Sequence, residues 1–234
     1  MATADVWIVS LPEGDAPVAS LLPLLSPTEQ TRASRFRPAA DRRSYIYSHA
    51  ALRVLLGRER EAHFEDRPFM VGAHGKPFIC GAPYFNLSRS AGRAAIAICQ
   101  HGGIGVDIER EDGSSTGAGE SPLTTAERAW LDRVSTDDDR HHRYLRLWVI
   151  REAFVKATGA GLSQMLAEGD IVIEHDAPSL SPRSEWQVVE PQATGDALRG
   201  YVAAAVVRRG CTVTWRNVSW TEVAARISSP PSVR

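Results

Sequence analysis

The segment Ile104-Gly105-Val106-Asp107-Ile108-Glu109-Arg110 alternates apolar and acidic side chains. Successive residues of a strand point to opposite faces, so Ile104, Val106 and Ile108 line one face while Asp107 and Glu109 share the other. Two carboxylates on one face repel unless a positive group sits between them. Oxygen ligands of that kind suit Mg²⁺, which takes one or two carboxylates together with substrate phosphates and waters. Taken alone, the segment fits the solvent-facing polar side of an edge strand better than a metal site.

On either side of it the chain reads as two halves, each with a long helix followed by strands. Before it come a strand over Val6–Leu11 and a helix opened by Ser26-Pro27, a good N-cap followed by a residue suited to the first turn. A longer helix spans about Ala40–Leu56, with Ile46, Ala50, Val54 and Leu55 on its apolar face and Gly57 at its end. Strands are predicted at Tyr84–Leu87 and Arg93–Cys99, the latter a nearly unbroken buried run. After the acidic strand, Glu111–Pro122 is rich in Gly, Ser and Thr and reads as a mobile loop. Helices follow at about Thr124–Val134 and Arg140–Ala157. Further strands are expected near Ile171–Glu174, Trp186–Val189, Tyr201–Val207 and Thr212–Val218, then a disordered tail from about Ser228. The run Ala94–Ile98 is faintly echoed by Ala203–Val207, which suits two related α+β lobes, one over residues 1–110 and one over 111–234.

The second chemical signal lies in Leu147-Trp-Val-Ile-Arg-Glu-Ala-Phe-Val-Lys-Ala-Thr-Gly159. Ile150, Ala153, Phe154 and Ala157 form its core stripe, and Trp148, Glu152 and Lys156 fall in one i, i+4 row. By itself that row is a surface ion pair worth a few tenths of a kcal/mol. Beside Asp107 and Glu109, however, Glu152 supplies a third carboxylate and Lys156 a cation for phosphate oxygens. Such a set could polarise a pyrophosphate, orient an attacking hydroxyl and neutralise a leaving phosphate.

Composition narrows the field. With 234 residues, 27 Lys and Arg against 28 Asp and Glu, and a net charge of −1, no global basic field points to nucleic acid or an anionic membrane. A polyanionic ligand must be held by a local cluster of cations. Cys80, Cys99 and Cys211 are too scattered for a disulfide framework and read as buried small hydrophobes in a reducing compartment. The N-terminus does not read as a signal peptide, and no apolar stretch approaches membrane-spanning length. A soluble cytoplasmic protein is expected. His141 and His142 are adjacent and lack ligand spacing, and Trp215 and Trp220 read as core residues in or beside a terminal strand.

Four segments in order, Gly75-Lys-Pro77, Phe85-Asn-Leu-Ser-Arg-Ser90, Gly105-Val-Asp-Ile-Glu109 and Trp148-Val-Ile-Arg-Glu-Ala-Phe-Val-Lys156, together resemble the Sfp-type 4′-phosphopantetheinyl transferases. The N-terminal Ser26-Pro27 through Arg32 and Arg35-Phe36 also fits that family. The resemblance spans roughly residues 26–162 and implies a two-lobed, pseudo-symmetric monomer. It implies transfer of the phosphopantetheine arm of coenzyme A to a serine of an apo acyl or peptidyl carrier protein, with release of 3′,5′-ADP, in secondary metabolism such as polyketide or nonribosomal peptide synthesis. Asp107, Glu109 and Glu152 would bind Mg²⁺, or Mn²⁺ in its place. Glu152 would also act as base towards the carrier serine, and Lys156 would stabilise the phosphate or protonate the departing nucleotide. The implied coenzyme A contacts are Arg32, Arg43, Lys76, Pro77, Ser88, Arg89, Asp107 and Lys156, with Ser88 and Arg89 on the 3′-phosphate.

Arg89 departs from the family pattern, which has His at that position. Arg is always charged and offers a planar fork of donors to phosphate, whereas His is only partly protonated at neutral pH. Arg151 stands where many relatives have Lys and keeps the charge. Lys76 and Arg32 read as solvated surface cations when taken outside the motif, and for Arg42 and Arg43, on a helix where the family has basic residues near the nucleotide, a surface role weighs equally. Two rival functions remain: a Mg²⁺-dependent phosphodiesterase, and a catalytically impaired coenzyme A- or carrier-binding homologue. The Glu111–Pro122 loop and the helix after it are the expected carrier-docking surface, with Leu123 as its test position.

Overall fold

The computed structural model describes residues 2–14, 17–58, 67–72, 75–112, 123–159, 171–192 and 195–227. The elements run β1 (Thr3–Ser10), α1 (Pro27–Ser34), α2 (Ala39–Arg58), β2 (Met70–Val71), β3 (Pro77–Phe78), β4 (Tyr84–Ser90), β5 (Arg93–Cys99) and β6 (Ile104–Arg110). Then come α3 (Thr125–Leu131), α4 (Asp137–Thr158), β7 (Ile171–Glu174), β8 (Ala177–Leu180), β9 (Trp186–Val189), β10 (Tyr201–Arg208), β11 (Thr212–Ser219) and α5 (Trp220–Ile227). Two main sheets form, in the orders β11-β1-β5-β4 and β6-β10-β9, with β2–β3 and β7–β8 as small hairpins.

Strand alternation sets the layers. Val6 and Ile8 of β1, Ala95 and Ala97 of β5, Ile104, Val106 and Ile108 of β6, and Ala203 and Ala205 of β10 meet in one core between the sheets. The alternate residues face outwards: Trp7, Val9 and Ile96 pack with α2, and Val202, Ala204 and Val206 pack with α4. Each sheet is therefore sandwiched between the shared core and its own long helix, as period-two burial on both faces requires. The apolar stripe Ile150, Ala153, Phe154 and Ala157 of α4 is buried as its spacing predicts.

The expected pair of similar lobes is borne out in detail. Ser26 caps α1 in a capping box with Glu29, and Glu29 pairs with Arg53 of α2. Thr124 caps α3 in a capping box with Glu127, and Glu127 pairs with Arg151 of α4. Ser26 to Thr124, Glu29 to Glu127 and Arg53 to Arg151 are each a step of 98 residues. In sheet position β1, β5 and β4 correspond to β6, β10 and β9. A boundary at residue 110 cuts across this pairing. β6 bonds to β10 throughout, while β11 runs parallel to β1, so both lobes draw on strands from the far half of the chain.

Several local expectations are corrected. Helix α4 begins at Asp137, not Arg140, because Thr136 accepts from the Asp139 N–H and three aspartates suit the positive end of the helix dipole. Trp220 opens a helix after β11 and packs edge-on against Tyr47 at 4.5 Å. Cys80 is exposed, whereas Cys99 and Cys211 are buried and free. Leu123 packs against the second lobe's core, so it is not a freely available surface position. Residues 113–122 and the tail from Ser228 lie outside the described residues. Among the described residues no helix is long and apolar enough to cross a membrane.

Candidate active site

The site forms where β4 and α4 meet β6. The polar residues of β4 on one face, Asn86, Ser88 and Ser90, reach across to β6 as three rungs. Asn86 Oδ1 accepts from the Val106 N–H at 2.9 Å, Ser88 Oγ donates to Asp107 Oδ1 at 2.6 Å, and Ser90 Oγ donates to Glu109 Oε2 at 2.9 Å. These side chains take the place of a backbone ladder between the two sheets and fix the height of both carboxylates. On the same face Gly105 lets α4 approach: a Cβ there would lie 1.9 Å from Ala153 O and 2.4 Å from Ala157 N. The absent side chain thus sets the distance at which Glu152 and Lys156 face Asp107.

Lys156 Nζ donates to Asp107 Oδ1 at 2.5 Å and to Ser88 Oγ at 3.1 Å. The sequence placed Lys156 beside Glu152 on the helix surface; the short crossing at Gly105 turns it to Asp107 instead. Asp107 is 2% exposed, and its second oxygen, Oδ2, is buried with no hydrogen-bond partner. Burial pushes the Asp107 carboxyl above the ordinary carboxylate range, against the pull of the Lys156 ammonium. Burial and the Asp107 charge likewise raise Glu152, which places the two carboxyl groups within electrostatic reach. Glu109 lies on the same strand face, held by Ser90.

A bare, buried carboxylate oxygen next to a second desolvated carboxyl fits a hard divalent cation, which would satisfy the one and relieve the repulsion of the other. Asp107 and Glu152 meet that requirement directly, with Glu109 adjacent. Among the described residues no three acidic, His or Cys side chains stand together as a group able to hold a metal ion, so Asp107, Glu109 and Glu152 are not gathered as one three-carboxylate set.

The other expected contacts divide into three places. Lys76 is not a free surface cation: Nζ donates to Ile104 O and Ala157 O, both at 3.0 Å, and burial lowers its pKa to about 8. It ties the start of β6 to the last turn of α4, and the half-buried Pro77 follows in β3. Ser88 and Arg89 point to opposite faces of β4. Ser88 serves Asp107, while the Arg89 guanidinium lies over the rings of Phe36 and Tyr45 at 5.5 and 5.3 Å. Exposed Arg32 sits 5.9 Å from the same Tyr45 ring, and burial together with the Arg32 charge holds Arg89 below its ordinary pKa. Two cations gathered at one aromatic ring make a local anion site. Arg43 lies apart, lining a cavity of about 370 Å³ with Ser44, Gly92 and Arg110.

Sequence reasoning missed the roles of Asn86 and Ser90, although their alternation with Ser88 was the available signal. It also missed His49, which stacks on Tyr45 at 3.8 Å and whose pKa burial drives down to about 3, leaving it neutral against the ring that both arginines approach.

Residues 103–206 match the family model described as the 4′-phosphopantetheinyl transferase superfamily. The chain is 32% identical to the 4′-phosphopantetheinyl transferase AcpT of Salmonella typhimurium over 146 residues, 60% of this chain and 71% of that protein. The chain belongs to the 4′-phosphopantetheinyl transferase superfamily. Within it, 28% identity extends over 192 residues to HetI of Nostoc sp., covering 79% of this chain and 81% of HetI. Sfp of Bacillus subtilis is also 28% identical, over 65% of this chain and 68% of its own length. The Sfp-type resemblance drawn from the four motifs is thereby borne out, and the matched region contains Asp107, Glu109, Glu152 and Lys156.

Proposed function

We propose that this superfamily member transfers the 4′-phosphopantetheine arm of coenzyme A to a serine of apo acyl or peptidyl carrier proteins and releases 3′,5′-ADP. The observation that carries the reading is the buried Asp107 carboxylate, whose Oδ1 accepts from Lys156, whose Oδ2 has no partner and whose charge acts on Glu152. Asp107, Glu152 and Glu109 would hold Mg²⁺, or Mn²⁺ in its place. Bound there, the ion would draw charge from the pyrophosphate oxygens.

The chain's own groups account for the remaining demands of phosphoryl transfer, which are positioning and charge neutralisation. Glu152, half-buried and raised in pKa, is suited to accept the proton of the attacking serine hydroxyl, directly or through a water. The serine oxygen bonds to the phosphorus that carries pantetheine as the bridging P–O bond to the nucleotide breaks. Lys156 would neutralise the departing phosphate or return a proton to it. Arg89 and Arg32, gathered at Tyr45, offer charge for the 3′-phosphate of the nucleotide. Lys76 has two donors committed to carbonyl oxygens and one ammonium N–H left for a phosphate oxygen. Arg43, Pro77 and Ser88 complete the coenzyme A-facing set, Ser88 through Asp107. We assign the protein to the cytoplasm as a monomer serving polyketide or nonribosomal peptide carriers.

Intact-mass spectrometry of apo carrier proteins incubated with the protein, coenzyme A and Mg²⁺ tests the reading. The expected result is a phosphopantetheine mass gain that disappears with EDTA or Glu152→Ala. Cleavage of coenzyme A without carrier modification would identify a phosphodiesterase instead. Coenzyme A binding with neither reaction would identify a binding homologue.

A further inference from the structure

The buried pair Glu127–Arg151 touches none of the groups assigned above, yet it sits one residue from Glu152. Arg151 Nη2 donates to Glu127 Oε1 at 2.5 Å, with the two side chains 8% and 1% exposed. The other carboxylate oxygen, Glu127 Oε2, accepts the Thr124 N–H at 2.7 Å, and Thr124 Oγ1 accepts the Glu127 N–H. The N-terminus of α3 is thus bonded to the turn of α4 that carries Glu152. Neighbouring residues on a helix project about 100° apart, so a restraint on Arg151 restrains the rotation of that turn about the helix axis. Rotation of α4 moves Glu152 sideways relative to Asp107, whereas Gly105 limits only the separation of α4 from β6.

The first lobe provides an internal comparison. Glu29 and Arg53 repeat the arrangement, including the capping box and the 24-residue spacing, but there the residue after the arginine is Val54. The mirror pair therefore has the same architectural part and no carboxylate to aim. Arg53 additionally bonds Arg67 O and lies 4.3 Å from the Phe69 ring, whereas Arg151 Nη1 is buried without a partner. A single charged donor suffices on Glu127, which makes lysine an adequate replacement at position 151 and leaves an apolar residue inadequate.

We infer that Arg151, held by Glu127, is a positioning residue that orients Glu152 for the transfer reaction. The inference rests on the proposed transferase reading and concerns kcat rather than substrate binding. A displacement of about 1 Å at a reacting group can cost on the order of 100-fold in rate.

The experiment measures transfer by the full chain to an apo carrier protein at saturating coenzyme A and Mg²⁺, well below the melting temperature. Arg151→Met should lower kcat about 30-fold or more with KM for coenzyme A within twofold. Arg151→Lys should restore kcat to within about threefold of wild type. In a Glu152→Gln background Arg151→Met should add less than about threefold, because the group it aims is already gone. The mirror substitution Arg53→Met should destabilise without lowering kcat at saturating coenzyme A. Should Arg151→Met not fold, Glu127→Gln, which keeps the side chain's size, reads the same coupling to Glu152. Additive losses with Glu152→Gln, or equal kcat losses at Arg53 and Arg151, would overturn the inference while wild-type transfer stands. No transfer by the wild-type protein would instead remove the functional reading beneath it.

Discussion

Replacing Gly105 by alanine adds one methyl group at the tightest contact of the site. Its Cβ would stand 1.9 Å from Ala153 O, 2.4 Å from Ala157 N and 3.0 Å from Ala153 C. All three are helix backbone atoms, so no side chain can rotate away. Ordinary Cβ contacts begin near 3.4 Å, and the shortfall of about 1.5 Å must be met by moving α4 off β6. Overpacking of a rigid core costs about 1–3 kcal/mol, and with only backbone to displace the upper end applies. The same movement draws Glu152 and Lys156 away from Asp107, for which about a 100-fold loss of kcat is expected. Urea denaturation would read the stability and mass-spectrometric carrier loading the rate. Gly105→Ala with wild-type stability and wild-type kcat would refute the account of how α4 is seated.

Three further outcomes follow from the same geometry. Because burial raises the Asp107 carboxyl, the folded protein holds this proton more tightly than the unfolded chain, and the ionised form costs stability at neutral pH. In EDTA, Asp107→Asn should therefore melt higher than wild type at pH 7.5, with the gap closing as the pH falls into the ordinary carboxylate range, and should transfer nothing; a lower Tm at pH 7.5 would contradict this. Lys76 is depressed to about 8 from 10.5, so between those values the unfolded chain binds the extra proton and stability rises with pH. The stability of wild type relative to Lys76→Met should increase from pH 8 to 10.5 in thermal melts, and a decrease would rule out a buried, partly neutralised lysine. Arg89→Ala should weaken binding of coenzyme A by roughly 10-fold and that of 3′-dephospho-coenzyme A by much less. Calorimetry that finds equal losses for both ligands would place Arg89 away from the 3′-phosphate.

Much of the architecture could be read in one dimension because it repeats locally. The stripe of α4, its stop at Gly159 in the left-handed conformation (φ 67°) and the alternation of β6 are periodic signals within a few residues. Helix α5 was equally marked, by Ser219 and Glu222 in a capping arrangement, but the cap residue is also the last residue of β11, and strand and helix signals overlap there. Asp107, Glu152 and Lys156 could each be named in advance, whereas their partnership could not. Whether Lys156 neutralises Glu152 or Asp107 depends on how closely a helix crosses a strand about 50 residues away in sequence. The pairs Glu29–Arg53 and Glu127–Arg151 were illegible for the same reason: a spacing of 24 residues has no meaning until two helices are folded back on each other.

The parallel pairing of β1 with β11 has a consequence for how the protein is made. Thr3 finds its partner only at Thr212, so β1 leaves the ribosome about 200 residues before the strand that covers its outer edge. At about 5–20 residues per second that edge stays open for roughly 10–40 s. Its neighbour β5 emerges much earlier and can close the other side, leaving a half-finished sheet with a row of unpaired N–H and C=O groups available to any extended chain nearby. Slow translation or premature termination before Thr212 is therefore expected to yield aggregates seeded at β1, and a chaperone that binds extended strands should be found on nascent chains of this length.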